Sequence, residues 1–406
     1  MTRKEETVAE TAPLRILIVG AGAISREFAL HHFDPSHTGA IVVGIADLDK
    51  EKASNLATEV GSVQAGAKVL GDGRNWHTAA TNERVGEPVP HFRSVEKALD
   101  DLGNDIDAVY IGTPPGSHRV LVEQSLKRFK HVLLEKPIAA TREDTDLIIA
   151  AHDNASPNCA LAMNIGMRYN PALHELRRRI LTDGELGAKV RATLNMHFKQ
   201  WPRLWQRQPW CAGREEGGPL REVGTHYFSA LLEFSGAHDD EGATAMTPVE
   251  AKVRAVVNYP DDMPDGSRSP LCEREASGVI ELKGGALSSD GIVVDFSVRT
   301  NAPEDIYELT FVPSPNQEDV LEQKKSLTLF DFCSLRNGGG DILIKSTAYG
   351  RKDCVRALVA AAKGQKEKES APDGPSIVTA RHGSNAQRIL DAVLMSNGKW
   401  CNVQLD

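Results

Sequence analysis

The sequence predicts an α/β chain in two parts: a doubly wound parallel sheet, then an α+β domain on an open, mainly antiparallel sheet. Three observations predict it. Over roughly the first 160 residues, strand-like apolar runs alternate with helical segments, the order that builds parallel sheets. Later strands alternate apolar with polar residues, as half-covered strands do. A length of 406 residues exceeds what one core usually organises, so two domains are expected.

In order, the first part reads as strand Leu14–Val19, strand Ile41–Ala46, helix Asp49–Glu59, helix Ser94–Leu102 and strand Ala108–Ile111. Helix Ser117–Phe129, strand His131–Leu134, helix Thr141–His152 and a sixth strand, Cys159–Met163, complete it. The expected domains are a disordered tail at 1–12, a nucleotide-binding domain at 13–158 and a substrate-binding and oligomerisation domain at 159–406. Residues 61–90 are rich in glycine, threonine and asparagine with little periodicity, so they read as a long insertion, either functional through Trp76 and His77 or mobile. In the second part Val190, Leu194, Met196 and Phe198 alternate with polar residues, as do 249–257 and 292–299. Runs 307–311 and 327–330 extend this sheet, helices 353–363 and 376–396 close the chain, and 364–374 is a charged linker.

Composition narrows the function classes. Hydrophobic residues make up 41% of the chain, which is ordinary for a globular protein, and the net charge of −9 argues against nucleic acid or an anionic membrane as partner. Small molecules are the expected partners. The six cysteines are scattered, without Cys-x-x-Cys pairs or histidines at metal-ligand spacing, so a reducing compartment and no metal are expected. The polar start and the lack of a long apolar run predict a cytoplasmic protein.

The most informative segment is Gly20-Ala21-Gly22-Ala23-Ile24-Ser25, directly after the first strand. Glycine at Gly20 allows a tight turn, glycine at Gly22 leaves room for pyrophosphate, and the following helix aims free amides at phosphates; Ser25 stands where a third glycine is usual. Asp47 ends the second strand, twenty-two positions beyond Ser25, where a carboxylate accepts hydrogen bonds from ribose hydroxyls. These features predict a Rossmann dinucleotide site, with NAD preferred because Asp47 repels a 2′-phosphate. Lys50 and Lys52 leave NADP possible.

Two constellations carry candidate chemistry. Glu135-Lys136-Pro137 follows the fifth strand, at the sheet edge where ligands lie, so Lys136 is either a proton-transfer group beside a cationic nicotinamide or a surface lysine before a helix-starting proline. Gly217 to His226 enters a helix; with helical geometry from Glu222, that carboxylate and His226 stand one turn apart, either orienting an imidazole toward a substrate hydroxyl or forming an ordinary pair. Trp201, Trp205 and Trp210 lie among Arg203, Arg207 and Arg214, which suits a carbohydrate pocket or a packed interface equally.

Together these pieces resemble the glucose-fructose oxidoreductase, inositol dehydrogenase and rhizopine-catabolism (Gfo/Idh/MocA) family. The resemblance runs through the glycine loop, Thr113-Pro114-Pro115 with His118, Glu135-Lys136-Pro137, Arg168-Tyr169-Asn170-Pro171, Gly184-Glu185-Leu186-Gly187, 218–226 and the closing helix from Ala380. It implies an NAD(P)-dependent oxidoreductase acting on a sugar, polyol or cyclic diol, with Lys136 as general acid/base and His226 assisting at the reacting hydroxyl. By the same likeness Thr113, Pro114, His118, Glu135 and Asn164 border the cofactor and Arg168 the substrate, though Arg168 also suits a structural ion pair. Glu222 stands where the family usually has aspartate. The family also implies a homodimer or homotetramer, and the alternative implied by some relatives is a catalytically silent dinucleotide sensor or scaffold.

Overall fold

The computed structural model describes residues 12–70, 79–81, 84–187, 189–206, 208–235, 249–284, 291–314, 325–347, 349–364 and 377–405. Most of the expected tail and linker lies outside these residues, as do Trp76, His77 and Arg207.

The first sheet contains β1 (Leu14–Val19), β2 (Ala40–Ala46), β5 (His91–Phe92), β6 (Ala108–Ile111), β7 (His131–Leu134) and β8 (Leu161–Met163), while β3 (Val69–Leu70) and β4 (Ala79–Ala80) form a separate hairpin. Its strand order is β5-β2-β1-β6-β7-β8, all parallel. The order reverses between β1 and β6, and a crevice at such a switch point is where ligands of open parallel sheets bind. Around the sheet run α1 (Ala23–Glu27), α2 (Lys50–Gln64), α3 (Val95–Leu102), α4 (His118–Lys127) and α5 (Arg142–Asp153). Starts of α3 and α5 follow from their caps: Ser94 and Thr141 side chains accept from the Lys97 and Asp144 amides.

The second sheet adds β9 (Val190–His197), β10 (Glu250–Asn258), β11 (Glu275–Lys283), β12 (Ile292–Arg299), β13 (Ile306–Pro313), β14 (Leu327–Phe330), β15 (Ser334–Asn337), β16 (Ile342–Ile344) and β17 (Cys401–Gln404). Its order is β16-β15-β14-β13-β9-β12-β11-β10-β17, antiparallel except for the β9–β12 pair. The apolar residues of β9, Val190, Ala192, Leu194 and Met196, point into one core shared with α6 (Pro171–Arg177), α7 (Thr225–Ser235) and α9 (Ala380–Met395). The opposite face carries polar pairs such as Arg191–Asp295 at 2.8 Å.

Three readings change. The segment read as an insertion at 61–90 begins inside α2 and ends just before β5, whose short pairing with β2 leaves no periodic signal. Strand β11 escapes a pattern reading because Gly278 interrupts it; there a Cβ would lie 2.2 Å from the Arg254 carbonyl oxygen of the neighbouring strand, so the backbones need glycine. The third change concerns the boundary after 158. Strand β8 belongs to the first sheet, residues 378 and 379 bond to its edge, and α8 (Arg351–Ala362) packs Cys354, Val355 and Leu358 into the first domain's cores. Periodicity reveals an apolar helix face but not which sheet it covers.

Candidate active site

The turn after β1 has the shape the glycines predict. Gly20 has φ +89°, and a Cβ there would meet the Gly112 carbonyl oxygen at 2.8 Å, whereas nothing lies within 4 Å of a Cβ at Gly22. This open cradle at the first turn of α1 fits the pyrophosphate of a dinucleotide. The Ala21 amide donates to Asp47 Oδ2 at 2.6 Å and the Asp49 amide to Oδ1 at 2.8 Å, which fixes the carboxylate beside the turn. Ala23 and Ile24 line the cleft. Ser25 does not: it is buried, its hydroxyl 3.3 Å from the Gly112 oxygen, and it packs helix against strand as a third glycine would.

The cleft extends from this turn between the two lobes and encloses about 1270 Å³. On the sheet side it is lined by Thr113, Pro114, Glu135, Lys136 and Asn164. Glu135 is buried, accepts from the Tyr110 hydroxyl at 2.7 Å and from Asn164 Nδ2 at 2.6 Å, and burial raises its pKa against the pull of Lys136. Asn164 Oδ1 is buried without a partner, an acceptor at the cleft wall suited to a ligand amide. His118, expected at the cofactor, lies wholly buried behind this wall with ring nitrogens 3.1 and 2.9 Å from the Ile138 and Thr113 oxygens. It braces the strand ends rather than facing the cleft.

From the other lobe come Glu222 and His226. Leu220–Gly224 is a π-helical turn, and α7 begins only at Thr225. The wider turn changes the angular spacing, so the expected carboxylate–imidazole pair does not form: the buried His226 Nδ1 has no partner. Glu222 instead meets Lys136, whose Nζ donates to the Glu222 carbonyl at 2.9 Å and lies 3.7 Å from its carboxylate. Gln206 donates to the same carboxylate at 3.3 Å. Burial, with the cations Lys136, Arg351 and Arg203 nearby, holds His226 well below its ordinary pKa, so it is neutral at pH 7.

The π-turn rests on Glu273, which accepts from the Leu220 amide at 2.8 Å and is fully buried. Burial pushes its carboxyl up to about 7 from 4.5. A pKa raised by folding gives stability that is complete below the unfolded value and is lost as pH rises through the folded one. The wild type is therefore expected to lose roughly 3 kcal/mol between pH 4 and pH 8 through this group. Glu273→Gln keeps the acceptor and removes the loss, so denaturation midpoints of the variant should fall less over that range. Parallel midpoint-against-pH curves for the two proteins would refute this assignment.

Comparison with known proteins shows what this geometry is similar to. A profile described as "Oxidoreductase family, NAD-binding Rossmann fold" (GFO_IDH_MocA) matches residues 14–162. Over those residues the chain is similar to that family. A 1,5-anhydro-D-fructose reductase from Ensifer adhaerens is 28% identical over 212 residues, 52% of this chain and 53% of the relative. A D-xylose 1-dehydrogenase (NADP(+)) from Haloferax volcanii is 29% identical over 187 residues, 45% of this chain and 54% of the relative. The chain thus matches about half the length of these relatives. Among solved structures, the WlbA dehydrogenase from Bordetella pertussis, determined with NADH and UDP-GlcNAcA, superposes with a TM-score of 0.67 at 19% identity, covering 97% of this chain and 99% of that one. This likeness extends the fold over both lobes.

Expectation and structure part at two further residues. Arg168 is buried away from the cleft and pairs with His382 and, at 3.7 Å, with Glu233, which is the structural alternative. Trp201 packs on the second core and donates to the Cys211 oxygen at 3.1 Å, while Trp205 and Trp210 line the cleft. No motif singles out Arg351, which reaches the cleft from the start of α8 beside Tyr349 and is ion-paired with buried Glu27. Tyr307, in β13, and Phe332, in the turn between β14 and β15, also line the cleft and were equally silent, since isolated aromatic residues read as core. Among the described residues, no group of three or more histidine, cysteine or acidic side chains is arranged to hold a metal, and no helix is long and apolar enough to cross a membrane.

Proposed function

We propose that this chain is an NAD(P)-dependent oxidoreductase that moves a hydride between nicotinamide and a carbinol carbon of a sugar, polyol or related cyclic diol. The observation that carries this reading is Lys136, a cleft-lining amine between an open dinucleotide turn and a polar, aromatic wall from the other lobe. When bound, the nicotinamide supplies the hydride acceptor in oxidation or the donor in reduction. The protein's residues do the rest. Gly20, Gly22, Ala23 and Ile24 receive the pyrophosphate, and Asp47 takes the ribose hydroxyls, which favours NAD over NADP. Thr113, Pro114, Glu135 and Asn164 border the ring.

Lys136 Nζ takes the proton of the hydroxyl in oxidation and returns it in reduction. Glu222 and Gln206 hold that amine in place, and neutral His226 hydrogen-bonds the same hydroxyl. The uncovered polar face of the second sheet is the surface through which a homodimer or homotetramer would pair. The test is absorbance at the reduced-nicotinamide band with both cofactors across aldoses, polyols and cyclic diols. Turnover of at least one class is expected. Cofactor binding without any absorbance change across the panel would replace this reading with the silent dinucleotide sensor.

A further inference from the structure

The loop after β9 carries a cation whose surroundings the reaction above does not use. Arg203 lines the cleft, its guanidinium carbon 4.5 Å from the ring centre of Trp205 and 5.3 Å from that of Trp201. Its Nε donates to Gln206 Oε1 at 3.1 Å, and the Tyr307 side chain hydrogen-bonds it as well. Among the described residues it forms no ion pair with a carboxylate. The acids around it are committed elsewhere: Glu222 to Gln206 and Lys136, and Asp305 to the Lys199 amide at 2.9 Å.

Glu222 thus serves Lys136, and Arg203 is linked to it only through Gln206. Withdrawing a guanidinium from water without a counterion is unfavourable, and two indole faces offset only part of that. Burial accordingly lowers the Arg203 pKa from its ordinary value, while the group stays charged. What completes this environment is an anion. The planar fork of a guanidinium matches two oxygens of a carboxylate or phosphate, which a lysine ammonium does not.

We propose that Arg203 is the docking point for an anionic group, a carboxylate or a phosphate, carried by the sugar or polyol substrate. This rests on the oxidoreductase reading above. Gln206 ties the docking point to the reacting end: its oxygen accepts from Arg203 and its nitrogen donates to Glu222, which holds Lys136. An anion on Arg203 therefore fixes which carbon of the substrate is offered to the amine.

Because the guanidinium stacks on two indoles, tryptophan emission reports occupancy independently of turnover. The protein saturated with NADH is titrated with galacturonate against galactose, and with glucose 6-phosphate against glucose. The anionic member of at least one pair is expected to bind about 10- to 100-fold tighter than its neutral partner. The pair that discriminates names the anion. Arg203→Met should abolish the gap and spare binding of the neutral sugar, and Arg203→Lys should retain part of it. Equal or better binding of the neutral sugars, equal loss for both members in Arg203→Met, or no binding by any of the four overturns the proposal. Charge discrimination in binding without turnover of any sugar counts against the oxidoreductase reading and for the docking point. Turnover of an anionic sugar or polyol that Arg203→Met leaves unaltered counts against the docking point and for the oxidoreductase.

Discussion

Lys136→Met is expected to lower kcat about 10²–10⁴-fold while leaving NAD binding intact, because it removes the only proton acceptor proposed for the hydroxyl. The substitution keeps much of the side chain's length and apolar stem. It abandons the hydrogen bond to the Glu222 carbonyl, but that oxygen belongs to a turn already anchored by Glu273 at Leu220. Steady-state kinetics with the preferred sugar and calorimetric titration with NAD separate the two quantities. A variant with unimpaired kcat would exclude Lys136 from proton transfer. A variant that binds no NAD would mean the lysine serves the cofactor site rather than the chemistry.

The second large effect is expected at Asp47. Its carboxylate is pinned by the amides of Ala21 and Asp49, so it cannot swing away from a 2′-phosphate. Two like charges about 4 Å apart repel by about 1–4 kcal/mol between bulk water and the protein surface. Asp47→Asn keeps an acceptor for one amide and removes the charge. The ratio of kcat/KM for NAD over NADP should then fall by about tenfold or more. Arg26 and Lys52 also line this end of the cleft and are positioned to receive the phosphate once the carboxylate charge is gone. An unchanged ratio in Asp47→Asn would show that cofactor choice is made elsewhere.

Local signals were legible from sequence where one short segment carries the whole requirement. Gly20 through Asp47 is such a case: strand, turn and acid lie within one supersecondary unit, and the geometry follows from backbone sterics alone. Glu135-Lys136-Pro137 was legible for the same reason. What failed was anything that depends on how distant segments meet. His118 and Arg168 sit in family motifs, yet their side chains turn inward, because a motif fixes position along the chain and not the direction of a rotamer. The expected Glu222–His226 pair failed through one local irregularity, a π-turn that residue spacing does not announce. Arg351 was invisible because it enters the cleft on a helix nearly two hundred residues beyond the first domain's last strand.

That helix has a practical consequence for dissecting the protein. Since α8 supplies Cys354, Val355 and Leu358 to the cores beneath the first sheet, a fragment ending at residue 158 would leave its nucleotide half with a bare greasy patch and a missing outer strand. Such a piece is expected to clump on expression. The two halves are interlaced like clasped hands, and the first half is expected to stay in solution only when the chain's late return is supplied with it.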